Sequence, residues 1–341
     1  MSRGTLAPRV RALRDALRAV PIEFDPAKEH FVLTDGTTTS VPGLTRALRS
    51  AFPVPAGKLR RSRSSARRSR TDPVPGAVVW HAASAEARAL LRRAARSCTH
   101  AALNCQLERL ANSDGAAGYG AAFNKRHGIL VDEQLQYYTA HGRAALFADQ
   151  DALPAAERVP LLRGGVDPCV ATLLAYLDAH DLAAVAAQVP LYSPQMRLAT
   201  AFDLLVTDRA TRTQVHLVEL KASAALRTDD AAYVALRGRL RGTVARGTPL
   251  SYYSQHQLQL WCMHHMLRAA HGVAPDNAHV LRVCAGTVYA YALNQYYHER
   301  AAKLVPAVRR RGAPARKRKR ANSGLPKPQR ARQPVARAPD H

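Results

Sequence analysis

The chain has no apolar run of membrane-spanning length, and its N-terminus has no apolar stretch of the kind found in signal peptides. Its five cysteines form no paired framework and no Cys-x-x-Cys motif. There is no Gly-x-x-x-x-Gly-Lys loop, so neither a helicase motor nor a nucleotide cofactor is expected. These absences favour a soluble protein of a reducing, intracellular compartment, with no membrane partner.

Lysine is also scarce, since only 8 of the 50 basic residues are lysines and the other 42 are arginines. Of these lysines, only Lys221 has an acid, Glu219, two residues before it. Arginine would be the default cation in such a chain, whereas a compact ammonium suits the positioning of a water molecule. The Glu-Leu-Lys sequence therefore indicates a functional site, with an ordinary salt bridge at a strand end as the alternative.

The Glu-Leu-Lys sequence ends the second of two apolar β-runs, which lie at residues 198–206 and 213–221. The polar turn between the two runs predicts a hairpin. Each run contains an acid, Asp203 or Glu219, whose ionised form is costly among apolar neighbours unless a cation or donors hold it. Strand alternation places Glu219 and Lys221 on one side, and the adjacent strand can bring Asp203 there. Two carboxylates and one ammonium can bind a divalent metal and position a water for phosphodiester attack.

Residues 199–205 and 215–221 together resemble the PD-(D/E)XK nuclease superfamily, in its RecB-like and phage or viral exonuclease branch. The resemblance implies an α/β fold with a restriction-endonuclease-like core, in which helices flank a central mixed β-sheet. It also implies that Asp203, Glu219 and the Leu220 carbonyl hold Mg²⁺ or Mn²⁺, and that Lys221 orients or deprotonates the attacking water. The branch's iron–sulfur cluster is not expected, because the C-terminal group of three cysteines is missing.

A helix predicted before the core strands resembles the Gly-x-x-Val-His-Glu element of the same branch. Gly128, Val131 and Glu133 match, while Asp132 stands where the family has a histidine metal ligand. A carboxylate is an acceptable ligand for Mg²⁺ or Mn²⁺. Asp132 or Glu133 is therefore a candidate third acid, with a plain surface acid as the alternative.

A later helix resembles the Gln-x-x-x-Tyr element that follows Glu-x-Lys in this branch, with Gln257 in the glutamine position and Trp261 replacing tyrosine. The two positions share a helical face. Gln257 is therefore a candidate catalytic residue that points to the site or to the DNA backbone. In the alternative interpretation, Trp261 lies in the core and the neighbouring Gln255 and Gln259 are exposed.

The net charge of +25 is concentrated in two segments, at residues 58–70 with seven basic residues and at 309–341 with twelve. Both segments are poor in apolar residues, so they are expected to be disordered. They could bind nucleic-acid phosphates or serve only as solvated tails, and the second contains a cluster of the nuclear-localisation type. The candidate nucleic-acid-binding residues are Lys58, Arg60, Arg61, Arg316, Lys317, Arg318, Lys319 and Arg320.

The predicted organisation is an N-terminal hairpin and helix segment (1–57), a basic disordered loop (58–76), a nuclease core (77–305) and a disordered basic tail (306–341), with a helical N-terminal half. Strands are expected at 30–33, 37–41, 188–192, 279–284 and 287–293, and helices at 5–20, 44–52, 84–111, 123–138, 168–187, 229–242, 252–263 and 295–305.

The sequence thus predicts a metal-dependent DNA nuclease, an Mg²⁺-dependent phosphodiesterase. We expect an exonuclease of viral or phage-like recombination, repair or genome processing, in the nucleus of a eukaryotic host. The expected partners are linear duplex or single-stranded DNA and a recombination or single-strand-binding protein. An RNA nuclease and a catalytically inactive, nucleic-acid-binding or regulatory nuclease fold are the alternatives.

Overall fold

The computed structural model describes residues 6–25, 30–34, 40–51, 76–97, 117–222, 233–236, 238–240 and 246–304. The predicted basic loop at 58–76, apart from Gly76, and the predicted tail at 306–341 lie outside these ranges, as do all eight candidate nucleic-acid-binding residues. In chain order the elements are α1 (Pro8–Arg18), β1 (Ile22–Asp25), β2 (His30–Leu33), β3 (Ser40–Val41), α2 (Leu44–Ala51), β4 (Val78–His81), α3 (Ala85–Ser97), α4 (Ala117–His141), α5 (Arg143–Leu146), α6 (Pro168–Ala179), β5 (Leu182–Ser193), β6 (Leu198–Asp208), β7 (His216–Ala222), α7 (Tyr252–His271), β8 (Asn277–Cys284) and β9 (Thr287–Ala292).

The fold is mixed α/β and is built on a six-stranded sheet with the order β4-β9-β8-β7-β6-β5. Neighbouring strands are antiparallel except β7 and β8, which are parallel. A parallel pair needs a crossover connection, and α7 lies in the segment that joins these two strands. A second, three-stranded antiparallel sheet has the order β1-β2-β3.

Helices cover the large sheet on both faces. On one face, Leu13 of α1, Leu48 of α2 and Met263 of α7 belong to a single buried cluster. On the other face, Leu135 of α4 and Leu174 of α6 belong to a second cluster, to which α3 also contributes. The N-terminal helices therefore share a core with α7, and each fully buried leucine contributes about 2 kcal/mol of transfer free energy.

Local sequence signals explain where α6 and α7 begin and where α7 ends. Asp167 caps α6 by accepting the Cys169 N–H, and Pro168 occupies the first helical position. Ser251 caps α7 through the Ser254 N–H, and Gly272 ends it in the left-handed region with φ 65°. These caps fix the ends of the two helices that flank the core strands.

The predicted β6–β7 hairpin is confirmed, as are α1, α2, α4, α7, β8, β9 and the pairing of β2 with β3. The 84–111 helix is described only as far as Ser97, and the final helix is a 3-10 turn (Gln295–Tyr297) followed by helical residues 298–304. Only part of the predicted 229–242 helix is described, and there Arg239 forms a β-bridge with Pro249. β1 and β4 were not predicted.

Within the described ranges, no helix is long and apolar enough to span a membrane.

The predicted helix at 168–187 is wrong in its second half. The helix ends at Ala179, Asp181 adopts a φ of 53°, and residues 182–193 form β5, which pairs with β6 from Leu182 to Ser193. The alanine-rich sequence favours a helix by intrinsic propensity. Strand pairing along the whole of β6 and burial in the sheet outweigh that preference.

Asp208 organises the turn between β6 and β7. Its carboxylate accepts the backbone N–H groups of Thr211, Arg212, Thr213 and Gln214 at 2.8, 2.7, 3.0 and 2.8 Å. Desolvation opposes ionisation, but these hydrogen bonds and the Thr211 hydroxyl outweigh it and lower the pKa of Asp208 below its ordinary value. The ionised side chain thus adds to the one backbone hydrogen bond described in this turn, from the Arg212 N–H to the Asp208 carbonyl at 3.1 Å.

We predict that Asp208→Asn lowers the melting temperature at pH 7 by a few degrees, because a neutral amide accepts fewer and weaker hydrogen bonds. Since the folded-state pKa lies below the unfolded value, the stabilisation is present above about pH 4 and is lost as the pH falls further. Thermal unfolding at several pH values checks this. Asp151→Asn, at an exposed acid, is the control, and a difference independent of pH would contradict the explanation.

Candidate active site

Asp203, from the middle of β6, lies together with Glu219 and Lys221, from the second half of β7, where the pairing of these two strands stops. The Lys221 Nζ contacts the Glu219 carboxylate and lies 3.9 Å from Asp203 Oδ2. The Leu220 N–H donates to Asp203 Oδ2 at 2.6 Å. The two acids and the lysine therefore form one ion-paired group.

The site opens where β6 and β7 separate. The β6–β7 pairs extend only from Val206–His216 to Leu204–Val218, whereas β7 remains paired with β8 as far as Ala222. Beyond Val218, the Leu220 N–H bonds to the Asp203 side chain instead of to a β6 carbonyl. The carboxylate thus occupies the gap that the diverging strands leave.

An irregularity of β5 and β6 turns Asp203 toward this gap. Phe202 and Leu204 belong to opposite core clusters, although residues two apart in a regular strand share a face. On the neighbouring strand β5, Gln188 lies between the partners of Phe202 and Leu204 and has a φ of 48°. This backbone conformation costs a non-glycine residue on the order of 1 kcal/mol. The Gln188 Nε2 donates to Asp203 Oδ1 at 3.2 Å. Sequence reasoning missed Gln188, for which the only signal is a lone glutamine in an apolar strand.

Asp132, the predicted third acid, faces the same space from α4. It lines a cavity of about 220 Å³ whose walls are Gly128, Val131, Asp132, Asp203, Leu220, Lys221 and Ala222. Burial, followed by the charge of Asp203, raises the pKa of Asp132 to about 8, while a hydrogen bond to Gln188 acts in the opposite direction. Gln188 therefore connects the acid of α4 with the acid of β6. The neighbouring candidate, Glu133, is exposed.

Glu219 is the most deeply buried acid of the group, with a relative exposure of 1%. Burial, followed by the charge of Asp203, raises its pKa to about 7, and hydrogen bonds from Lys221 and Gln259 partly oppose this. Its second oxygen, Oε2, is buried without a hydrogen-bond partner among the described residues. An unsatisfied buried carboxylate oxygen beside two further carboxylates is suited to a cation.

Lys221 remains an ammonium in this setting. Burial alone would lower its pKa, but the carboxylates of Glu219 and Asp203 together raise it above its ordinary value. A protonated lysine can orient a water molecule or contact a phosphate oxygen, but it cannot accept a proton. Of the two predicted roles, the arrangement therefore favours orientation over deprotonation.

Gln257 is not brought to the acids. It is fully buried, its Nε2 donates to the Ala292 carbonyl at 3.0 Å, and its Oε1 accepts the Asn294 N–H at 2.8 Å. Trp261 Nε1 donates to the Asn294 carbonyl at 2.9 Å. These contacts attach α7 to the chain just after β9, so the catalytic role predicted for Gln257 is corrected to a structural one.

Gln259 takes the position expected of Gln257, since its side chain is the one from α7 that hydrogen-bonds to Glu219. Gln255 and Gln259, which the alternative interpretation left exposed, are both buried, at 8% and 6%. Two positions along a helix differ by about 200°. Gln257 and Gln259 therefore point to nearly opposite faces of α7, so choosing the wrong one of the two assigns the site to the wrong face of the helix.

The donor set fits a hard divalent cation. Asp132, Asp203 and Glu219 provide carboxylate oxygens against the single ammonium of Lys221, and oxygen donors are what Mg²⁺ and Mn²⁺ prefer. Leu220 lines the same cavity, so the residue whose carbonyl was predicted as a ligand is next to the acids. Asp132, Asp203, Glu219 and the Leu220 carbonyl are therefore the groups that could hold one metal ion, between α4 and the point where β7 diverges from β6.

The chain was compared with models of known protein families and with curated proteins. No family model matches the sequence, and no curated protein matches it. The resemblance to nucleases therefore depends on the motifs and on the arrangement of the side chains described above.

We predict that Mn²⁺ binding strengthens as the pH rises from about 6 to about 9. Asp132 and Glu219, with pKa values of about 8 and about 7, must lose protons before they can bind the ion. Calorimetry at several pH values measures the affinity and the protons released. Asp132→Asn should remove the upper part of this dependence, and a pH-independent affinity would contradict the assignment of these two ligands.

A second prediction separates the two glutamines. Gln259→Leu should weaken Mn²⁺ binding severalfold with little change in melting temperature, because it removes a donor that keeps Glu219 ionised. Gln257→Leu should instead lower the free energy of unfolding by about 1–3 kcal/mol, because it leaves the Asn294 N–H and the Ala292 carbonyl unsatisfied. Calorimetry and thermal unfolding of both variants test this. The reverse pattern would restore Gln257 as the site residue.

Proposed function

We propose that the chain is a metal-dependent nuclease of the PD-(D/E)XK superfamily that hydrolyses phosphodiester bonds in DNA. The observation that supports this most strongly is that Asp132, Asp203 and Lys221 line one cavity, while the buried Glu219 is ion-paired with Lys221. Three acids from a helix and two strands and one lysine are the residue types that metal-assisted phosphate hydrolysis needs. The six-stranded mixed sheet between two helical layers is compatible with a nuclease core of this kind.

Each side chain has a defined task in this proposal. A bound Mg²⁺ supplies Lewis-acid chemistry, because it lowers the pKa of a coordinated water and offsets charge on the scissile phosphate. Asp203, Glu219 and Asp132 would hold the ion, and Gln188 keeps two of these carboxylates in place through its amide. Lys221 orients the attacking water and contacts the phosphate as a cation.

The choice of DNA follows from charge and from the resemblance. The net charge of +25 favours a polyanionic substrate, and the basic segments at 58–70 and 309–341 would extend contacts to its phosphates. We favour an exonuclease acting on linear duplex or single-stranded DNA in viral or phage-like recombination, repair or genome processing. A recombination or single-strand-binding protein is the proposed partner. The basic cluster at 316–320 is the reason to propose the nucleus of a eukaryotic host.

Two other functions are outcomes of the same test. RNA would be bound through the same phosphate contacts, which do not distinguish the two nucleic acids. A catalytically inactive, nucleic-acid-binding protein would keep the basic segments without cleavage, and Asp132 in place of the family's histidine is the feature that favours it.

The test uses the full chain with linear and circular DNA, both double- and single-stranded, and with RNA, in Mg²⁺ or Mn²⁺ and in EDTA. Asp203→Asn, Glu219→Gln and Lys221→Met should each lower cleavage by about 100-fold or more, because each removes a metal ligand or the water-orienting cation. Binding of DNA in EDTA should be retained in Lys221→Met.

Glu133→Gln is the matched control for Asp132→Asn, because it neutralises an exposed acid on the adjacent position of α4. Its cleavage rate should stay close to that of the wild type, while that of Asp132→Asn falls. Cleavage that persists in Glu219→Gln would overturn the site. If no nucleic acid is cleaved but DNA is bound equally by all variants, the chain is a binding protein.

A further inference from the structure

Three side chains with different ligand chemistry meet in the core between α4 and α6. His127 Nε2 lies 3.0 Å from Asp167 Oδ2, and a ligating atom from each of His127, Asp167 and Cys169 lies within 4.8 Å of the other two. All three residues are buried, at 3%, 1% and 3% relative exposure. None of them lines the carboxylate cavity. The group therefore belongs to a different location in the fold and is not explained by the proposed nuclease function.

The surrounding hydrogen bonds hold these side chains in place. Asp167 caps α6, and its Oδ1 accepts the Cys169 N–H at 2.8 Å. From α4, the Gln134 Oε1 accepts the Asp167 N–H at 2.8 Å and its Nε2 donates to the Gly165 carbonyl at 2.9 Å. His127 and Gln134 are seven residues apart, so they lie on the same face of α4. The ligating groups are thus positioned by two rigid elements, as a metal site requires.

The charge of Asp167 is the physical reason to expect a cation here. Cys169 belongs to the same buried apolar cluster as Val131, Leu135 and Val166. A buried carboxylate is costly without a positive partner, and its ion-pair partner is His127, which is charged only when it is protonated. A divalent ion would neutralise the carboxylate and a thiolate together.

We propose that His127, Asp167 and Cys169 bind a zinc ion. Nitrogen and sulfur donors favour Zn²⁺ over Mg²⁺, and a carboxylate oxygen completes a set that zinc accepts. Binding would place the ion between His127 Nε2 and Asp167 Oδ2, where the hydrogen bond now lies. Cys169 would release its thiol proton to solvent and give up its contact with the Val283 carbonyl at 3.7 Å. The fourth tetrahedral position remains for a water or a carbonyl oxygen.

A zinc ion at this position would have a structural role. It would join the middle of α4 to the first turn of α6. Its ligand on α4, His127, precedes Asp132 by five residues on the same helix. The proposal does not depend on nuclease activity, because metal content and stability can be measured in a chain that cleaves nothing.

The experiment measures bound metals by mass spectrometry in untagged full-length protein, purified without added metal and again after reconstitution with Zn²⁺ and desalting. Wild type should retain about one zinc per chain. Cys169→Ser and His127→Gln should retain less than about a tenth of that, because each loses a ligand while keeping a polar group of similar size. Co²⁺ reconstitution should give a thiolate-to-metal charge-transfer band in the wild type that is absent from Cys169→Ser.

Two controls assign the ion to this group. Cys262→Ser makes the same substitution at a buried cysteine of the opposite core and should keep the zinc. Asp203→Asn removes a carboxylate of the cavity and should also keep it. A chelator should lower the melting temperature of the wild type but not that of Cys169→Ser.

Three results would overturn the proposal. They are a reconstituted wild type without zinc, zinc retained equally in Cys169→Ser and His127→Gln, and zinc lost in Asp203→Asn. Any of them would mean that the three side chains form only a hydrogen-bonded network that attaches α4 to α6.

Discussion

The candidate site is governed by one unfavourable interaction, which is the burial of like charges where β7 diverges from β6. Three carboxylates, from Asp132, Asp203 and Glu219, face one ammonium, from Lys221, and the arrangement is unfavourable for the isolated chain. The raised pKa values of Asp132 and Glu219 are the direct expression of that cost. Two apolar cores, one on each face of the sheet, provide the stability that allows such a group to exist. Sites of this kind hold charged groups in a fixed arrangement, and this lowers the free energy of unfolding of the protein.

The supporting residues explain how the arrangement is kept rigid. Gln188 adopts a backbone conformation that glutamine rarely takes, and from it the amide reaches acids on two different elements. Gln259 of α7 acts on Glu219, and the bonds of Gln257 and Trp261 to the end of β9 set the rotation of that helix. The acids are therefore held by contacts from α7, from β5 and from the hairpin itself.

The site residues that could be predicted are those set by local sequence patterns, whereas those set by tertiary contacts could not be predicted from such patterns. Asp203, Glu219 and Lys221 could be found because strand alternation is local and because charged residues in apolar strands are unusual. Asp132 was accessible only through the resemblance, since nothing local relates α4 to the hairpin. Gln257 was chosen through the resemblance to the Gln-x-x-x-Tyr element, with Trp261 in the tyrosine position, and the helical period alone could not show which face meets the sheet. The alanine-rich start of β5 was taken for helix because its pairing with β6 is a tertiary interaction.

The separation of β6 from β7 also leaves one backbone amide, that of Leu220, whose NMR resonance depends on the charge of Asp203. The Leu220 amide, which a continuous ladder would direct to a backbone carbonyl, is bonded at 2.6 Å to the side chain of Asp203. Its proton therefore senses the charge on that carboxylate directly, without any catalytic turnover. The resonance of this one backbone amide would move when Asp203 gains a proton or a cation, and it would do so without any substrate being bound.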